Sequence, residues 1–112
     1  MTFELYRNQR CSAPIISLNV HGLLIIPDST IKRYDLEYKE SVRLYYDKKN
    51  HCIGLKFSLY TNKESVKIRK SSCDFHIDLE NFMKHYNIVL SETIRPKLSH
   101  DRKKDMFIIN LT

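Results

Sequence analysis

The chain reads as a mainly β domain with two short helices, built from tandem β-β-α-β-β units. Three observations carry this reading. Apolar and polar residues alternate through Ile16, Leu18 and Val20, through Val42, Leu44 and Tyr46, and through Ile53, Leu55 and Phe57, the period of half-buried strands. Gly22 opens the apolar run Leu23 to Ile26 and Pro27 closes it, so that a turn, a buried strand and a helix start follow one another. The same grammar then returns in the second half of the chain, which marks an internal duplication.

The repeat is defined by its spacing. Val66 and Ile68 stand 50 positions after Ile16 and Leu18. Phe75, Ile77, Tyr86, Ile88 and Ile94 stand 52 after Leu23, Ile25, Tyr34, Leu36 and Val42. Asp101, Phe107, Ile109 and Leu111 stand 54 after Asp47, Ile53, Leu55 and Phe57. The two changes of offset fall in predicted turns. The expected organisation is an arm over 1–14, a first unit over 15–58, a linker over 59–65 and a second unit over 66–112. Together they form one compact domain, a small barrel with a pseudo-twofold axis and a helix of each half packed outside.

Taken in order, the arm mixes Phe3, Leu5 and Tyr6 with Arg7 and Arg10, and Pro14 ends it. His21 and Gly22 turn the first hairpin. Pro27 suits the first position of a helix over 28–34, whose inward residues are Ile31 and Tyr34. Asp47 to Asn50 is a polar hairpin connection between strands at 41–46 and 53–57. In the second half Asp78 is the expected N-cap of a helix carrying Leu79, Phe82, Met83 and Tyr86 on one face. That stripe is core packing.

Composition narrows the function classes. At 112 residues and 42% hydrophobic, the chain is long enough for one core, and 2 glycines and 3 prolines argue against low complexity. The net charge of +6 is spread evenly, with nine basic against six acidic residues before residue 58 and ten against seven after it. A distributed basic surface suits polyanion partners. Cys11, Cys52 and Cys73 are odd in number and read as free thiols of a reducing, cytoplasmic compartment. The pairs Cys73 and His76, and His51 and Cys52, have metal-binding residue types but lack a second motif to complete a tetrahedral site. No metal or other cofactor is expected, and no membrane span. No nucleophile motif or glycine-rich phosphate loop occurs, so the chain does not read as an enzyme.

The run from Gly22 to Pro27, the helix to Leu36, the strand Ser41 to Asp47 and the strand Ile53 to Phe57 together resemble the AbrB-type swapped-hairpin (SpoVT/AbrB-like) domain. A weaker copy spans 66–112. In that family two such units interleave as a dimer, so the resemblance implies a fused pseudo-dimer, a monomer or weak homodimer in solution. The chain departs from the family pattern at Lys39 to Ser41, where a Gly-Asp pair is missing, at Ser72 and Leu79 in the second copy, and at Tyr34 to Leu36.

The resemblance implies duplex DNA as partner and transcription regulation as role, with basic residues of the first hairpin and helix start facing phosphates. The residues themselves point the same way. Strand parity turns Lys67 and Arg69 outward on one face if Val66 and Ile68 point inward. It likewise turns out Arg43, Lys56, Arg95 and Lys97, while Lys32 and Arg33 flank the first helix and Lys70 extends the Lys67 group. Such cations on a rigid sheet neutralise phosphates and release counterions. The alternative is a protein-interaction module, antitoxin-like or a phage- or plasmid-borne adaptor, on the same scaffold without DNA binding. Lys48-Lys49 and Arg102 to Lys104 are expected at hairpin tips, away from that surface.

Overall fold

Leu18, Leu24, Ile26, Val42, Ile53, Leu55, Ile77 and Ile109 are sealed from solvent, and the strands that carry them form two antiparallel sheets. The computed structural model describes Phe3, residues 15–71 and residues 74–112; the rest of the expected arm, and Ser72 and Cys73, lie outside these. The four-stranded sheet has the order β1 (Ser17–Leu18), β2 (Leu23–Pro27), β7 (Asp74–Asp78), β6 (Arg69–Lys70). In the five-stranded sheet the order is β5 (Ser65–Lys67), β3 (Ser41–Asp47), β4 (Cys52–Ser58), β9 (Met106–Asn110), β8 (Leu98–Asp101). The helices are α1 (Asp28–Arg33) and α2 (Glu80–His85). The ladders stay in two sheets and do not close into a barrel.

Both sheets are sewn together by pairs of strands far apart in sequence. In β2 and β7, Leu24 lies opposite Ile77 and Ile26 opposite Phe75, all buried. The 52-residue offset sets Leu23 against Phe75 and Ile25 against Ile77, and here it is one residue out. Leu23 and Ile25 are only half-buried, because a one-residue slip turns every strand side chain to the other face. In β4 and β9, Ile53 faces Ile109 and Leu55 faces Phe107.

The strand expected through Val66 and Ile68 divides. β5 pairs with β3, placing Val66 opposite Val42, whereas β6 pairs with β7. Between them Ile68 is buried and its N–H donates to Glu40 O at 3.0 Å. The chain thus changes sheets at the residue whose side chain fills the core. Ile94, expected to open the counterpart of β3, instead makes an isolated bridge with Leu18, and β8 begins only at Leu98. Pro96 between them has no N–H to give a ladder.

The helix starts also move by one position. Pro27 ends β2 and is the N-cap of α1 rather than its first residue. Leu79, one residue after the expected Asp78, is the N-cap of α2, and Asp78 Oδ1 accepts the Glu80 N–H at 2.9 Å from the position before the cap. β1 is shorter than the alternation suggests: Val20 is exposed in a turn where Asn19 Oδ1 accepts the N–H groups of His21 and Leu23 at 3.0 and 2.9 Å.

Two aromatic clusters cross between the halves of the chain. Tyr34, just past α1, packs edge-on against Phe107 at 4.9 Å and lies 6.4 Å from His100. Tyr86, just past α2, lies 4.9 Å from Tyr46 and 5.0 Å from Phe82. Tyr46 Oη meets His51 Nδ1 at 2.9 Å. At the β3–β4 tip, the side-chain and backbone N–H groups of Asn50 donate to Asp47 and hold its carboxyl below the usual carboxylate range. Among the described residues no helix is long and apolar enough to cross a membrane.

Candidate nucleic-acid interface

The segment from Ile94 to Leu98 builds one wall of a cleft against α1. Its residues alternate: Ile94, Pro96 and Leu98 are half-buried, Arg95 and Lys97 exposed. The segment is anchored at its start by a two-way backbone bridge, Leu18 N–H to Ile94 O and Ile94 N–H to Leu18 O, both 2.9 Å. Its other end enters β8. Two cations are thereby turned toward the C-terminal end of α1, whose last residue is Arg33.

The cleft between them has a volume of about 490 Å³. Ile16, Pro96 and Leu98 line it with aliphatic surface and Tyr34 with an aromatic one, while Arg33, Arg95 and Lys97 bring three cations to it. Tyr34 is fixed from behind by Phe107, and the Arg33 guanidinium lies 5.4 Å from the Tyr34 ring centroid. None of the described lining side chains is acidic. Among the described residues, no carboxylate lies within ion-pair distance of Arg33, Arg95 or Lys97. Of the other candidate cations, Lys32, Arg43 and Lys70 have carboxylate partners, whereas Lys67 and Arg69 have none among the described residues.

Lys32 pairs with Asp28 one helical turn back at 3.1 Å. Arg43 lies 3.9 Å from Glu64. Lys70 Nζ meets Glu40 Oε1 at 3.1 Å and Glu37 O at 3.0 Å and lies 5.6 Å from the Phe75 ring. It is a tie between β6 and the turn after α1, so it does not extend the group at Lys67. Lys67 and Arg69 are both exposed, but the change of sheet at Ile68 puts them on different sheets rather than on one face of one strand. Lys67 shares its face of the five-stranded sheet with Arg43 and Lys56, since Ser41 opposes Lys67 and Arg43 opposes Lys56.

The eight candidate cations therefore fall into three groups. Arg33, Arg95 and Lys97 converge on the cleft, with Lys32 beside them on α1. Arg43 and Lys67 share a sheet face, and Arg69 and Lys70 lie on β6. Tyr34, Pro96 and Ile16 belong to the cleft but carry no signal in the sequence beyond core periodicity. Among the described residues no three His, Cys, Asp or Glu side chains gather as metal ligands. Cys52 is a half-buried free thiol on β4, while Cys73 and Cys11 lie outside the described residues.

No family model, curated protein or solved structure matches this chain.

Proposed function

We propose that this chain binds duplex DNA as a non-enzymatic regulator of the AbrB type, with the Arg33, Arg95 and Lys97 cleft as the centre of the contact surface. One observation carries the reading: Arg33, Arg95 and Lys97, from two distant segments, line one cleft that has no acidic side chain among its described lining residues, and none of the three has a carboxylate within ion-pair distance among the described residues. Bringing like charges together is unfavourable unless an anion joins them. Lys32 and, on the five-stranded sheet, Arg43 and Lys67 add phosphate contacts around that centre, and Arg69 extends them on β6.

The scaffold reading is a fused swapped-hairpin pseudo-dimer of two β-β-α-β-β units. Several pairings support it. Tyr34 packs on His100 and Phe107, and Tyr86, 52 positions later, packs on Tyr46, so each helix end meets the other half's hairpin. His51 and Asp105, 54 apart, both have positive φ and both hold a partner on the preceding strand, Tyr46 and His100. A second functional reading, a protein-interaction module, is favoured by a groove of about 400 Å³ lined by Tyr45, Cys52, Gly54, Met106 and Ile108.

Fluorescence anisotropy with random duplex DNA across a salt series tests the two readings. Binding should weaken linearly in log–log form. Replacing Arg33, Arg95 and Lys97 together by Ala should reduce the slope by about two or more, at about 0.9 per phosphate contact. A Lys48 and Lys49 to Ala control at the hairpin tip should change it little. No binding at about 50 mM salt, where phosphate contacts are strong, overturns the DNA reading in favour of the interaction module.

A further inference from the structure

We infer that the cleft is a single-nucleotide pocket, taking one unstacked base against its apolar wall and the attached phosphate on Arg33, Arg95 and Lys97. The inference rests on the reading that these cations meet phosphate, and it names what fills the rest of the space. A volume of about 490 Å³ lies within the range of small-molecule sites, roughly 300–1,000 Å³. The wall has two chemically distinct parts. Arg33, Arg95 and Lys97 form a charged part, and Ile16, Pro96, Leu98 and the Tyr34 ring form an apolar part beside it.

A duplex satisfies only the first. Its phosphates stand on convex ridges and its bases are stacked inside, so it has no flat apolar group to put into a concavity. Inorganic phosphate also satisfies only the charged part. An unstacked nucleotide has a planar ring and a phosphate on one short frame, and aromatic or guanidinium planes are the surfaces on which proteins receive such rings. Thr30, also in the lining, offers a hydroxyl that can donate to or accept from a base edge.

The pocket is built before any ligand arrives. The Tyr34 ring is packed against Phe107 at 4.9 Å, Ile16 is buried, and Arg95 to Lys97 run between the Ile94 bridge and β8 through a proline with fixed φ. Preorganisation of this kind spares the ordering cost of binding. A free nucleotide and an unpaired nucleotide in a strand present the same ring and phosphate.

The test is a set of NMR amide titrations of the full chain with thymidine 5′-monophosphate, inorganic phosphate, a short oligothymidylate and a duplex. The nucleotide should shift Ile16, Tyr34, Arg95 and Leu98 and bind about tenfold more tightly than inorganic phosphate, the scale of one base stacked on an aromatic ring. Tyr34→Leu should bring the ratio of nucleotide to phosphate affinity down to about one. If that variant does not fold, the wild-type comparison decides alone. Equal affinity for nucleotide and phosphate, or shifts confined to residues outside the cleft, overturns the inference. Duplex binding without any nucleotide preference overturns it and leaves the proposed function standing. Nucleotide binding with the duplex ignored supports it and overturns the duplex reading. Oligothymidylate binding well above the monophosphate assigns the pocket to a strand, and equal binding assigns it to a free nucleotide, the inference holding in both cases.

Discussion

Gly22 has φ +90°, and a Cβ built on it would lie 2.7 Å from Glu80 N and 2.8 Å from Glu80 Cα. Its carbonyl accepts the Leu79 N–H at 2.7 Å, so the first turn and the start of α2 touch backbone to backbone. Neither atom set can move without shifting an element. Gly54 is also enclosed, but there the obstacle is the Met106 sulfur, the flexible end of a side chain. Gly22→Ala should therefore cost about 1–3 kcal/mol, the scale of a strained backbone position. Gly54→Ala should stay within about 1 kcal/mol of zero, because relief of strand glycine entropy offsets the displaced rotamer. Urea midpoints at unchanged slope measure both, and equal costs would contradict the distinction. Gly22 was legible as a turn residue in the sequence. Its contact with Glu80 was not, since no local pattern encodes a partner 58 positions away.

Both helices are six residues long and neither N-cap has a side-chain hydrogen bond, so packing and the C-terminal ends hold them. The two ends are built alike. Leu36 N–H donates to Ile31 O and Asp35 N–H to Lys32 O; Ile88 N–H donates to Met83 O and Asn87 N–H to Lys84 O. Asp35 and Asn87 both have φ 54°. This is the Schellman arrangement, with an apolar pair, Ile31 with Leu36 and Met83 with Ile88, buried beneath it. Glycine is the favoured residue at that left-handed position, so Asp35→Gly and Asn87→Gly should each raise stability by up to about 1 kcal/mol. Thermal unfolding of the single variants checks this, and a loss of stability in both would show that the side chains outweigh the backbone. The 52-residue offset survives at these helix ends, because every member of the motif is local. It fails by one residue in β7, where register is decided by the strand opposite.

At the scale of the whole molecule, residues 15–58 and 66–112 do not each own a sheet. β2 finds its central partner in β7, β4 in β9 and β3 in β5, and Leu18 is bridged by Ile94. Separating the halves would expose two long strand edges and the inner faces of Leu24, Ile26, Ile53 and Leu55 at once. A fragment ending at residue 62 should show no cooperative unfolding transition as a monomer. Mixing it with the complementary fragment from residue 63 should restore one. Circular dichroism with sedimentation reads both outcomes. A fragment that folds alone as a monomer would mean that each half holds its own core.

What the sequence determined by itself is what depends on neighbours a few residues away. Strand alternation, the Gly22 turn, the hairpin tips at Lys48 and at Arg102 to Lys104, two short helices and most of the core were all readable, because period and turn chemistry are local. Exposure of Arg95 and Lys97 followed from the same parity. Tertiary structure alone decided that Ile68 is a crossing between sheets, that Lys70 is tied to Glu40, and that Lys67 and Arg69 part company. It alone brought Arg33 to Arg95 and Lys97 around Tyr34. Opposite charges pair only where backbone packing brings them together, so which cations are matched and which face a cleft is set by the ladders and by the Leu18–Ile94 bridge, not by the spacing of basic residues along the chain.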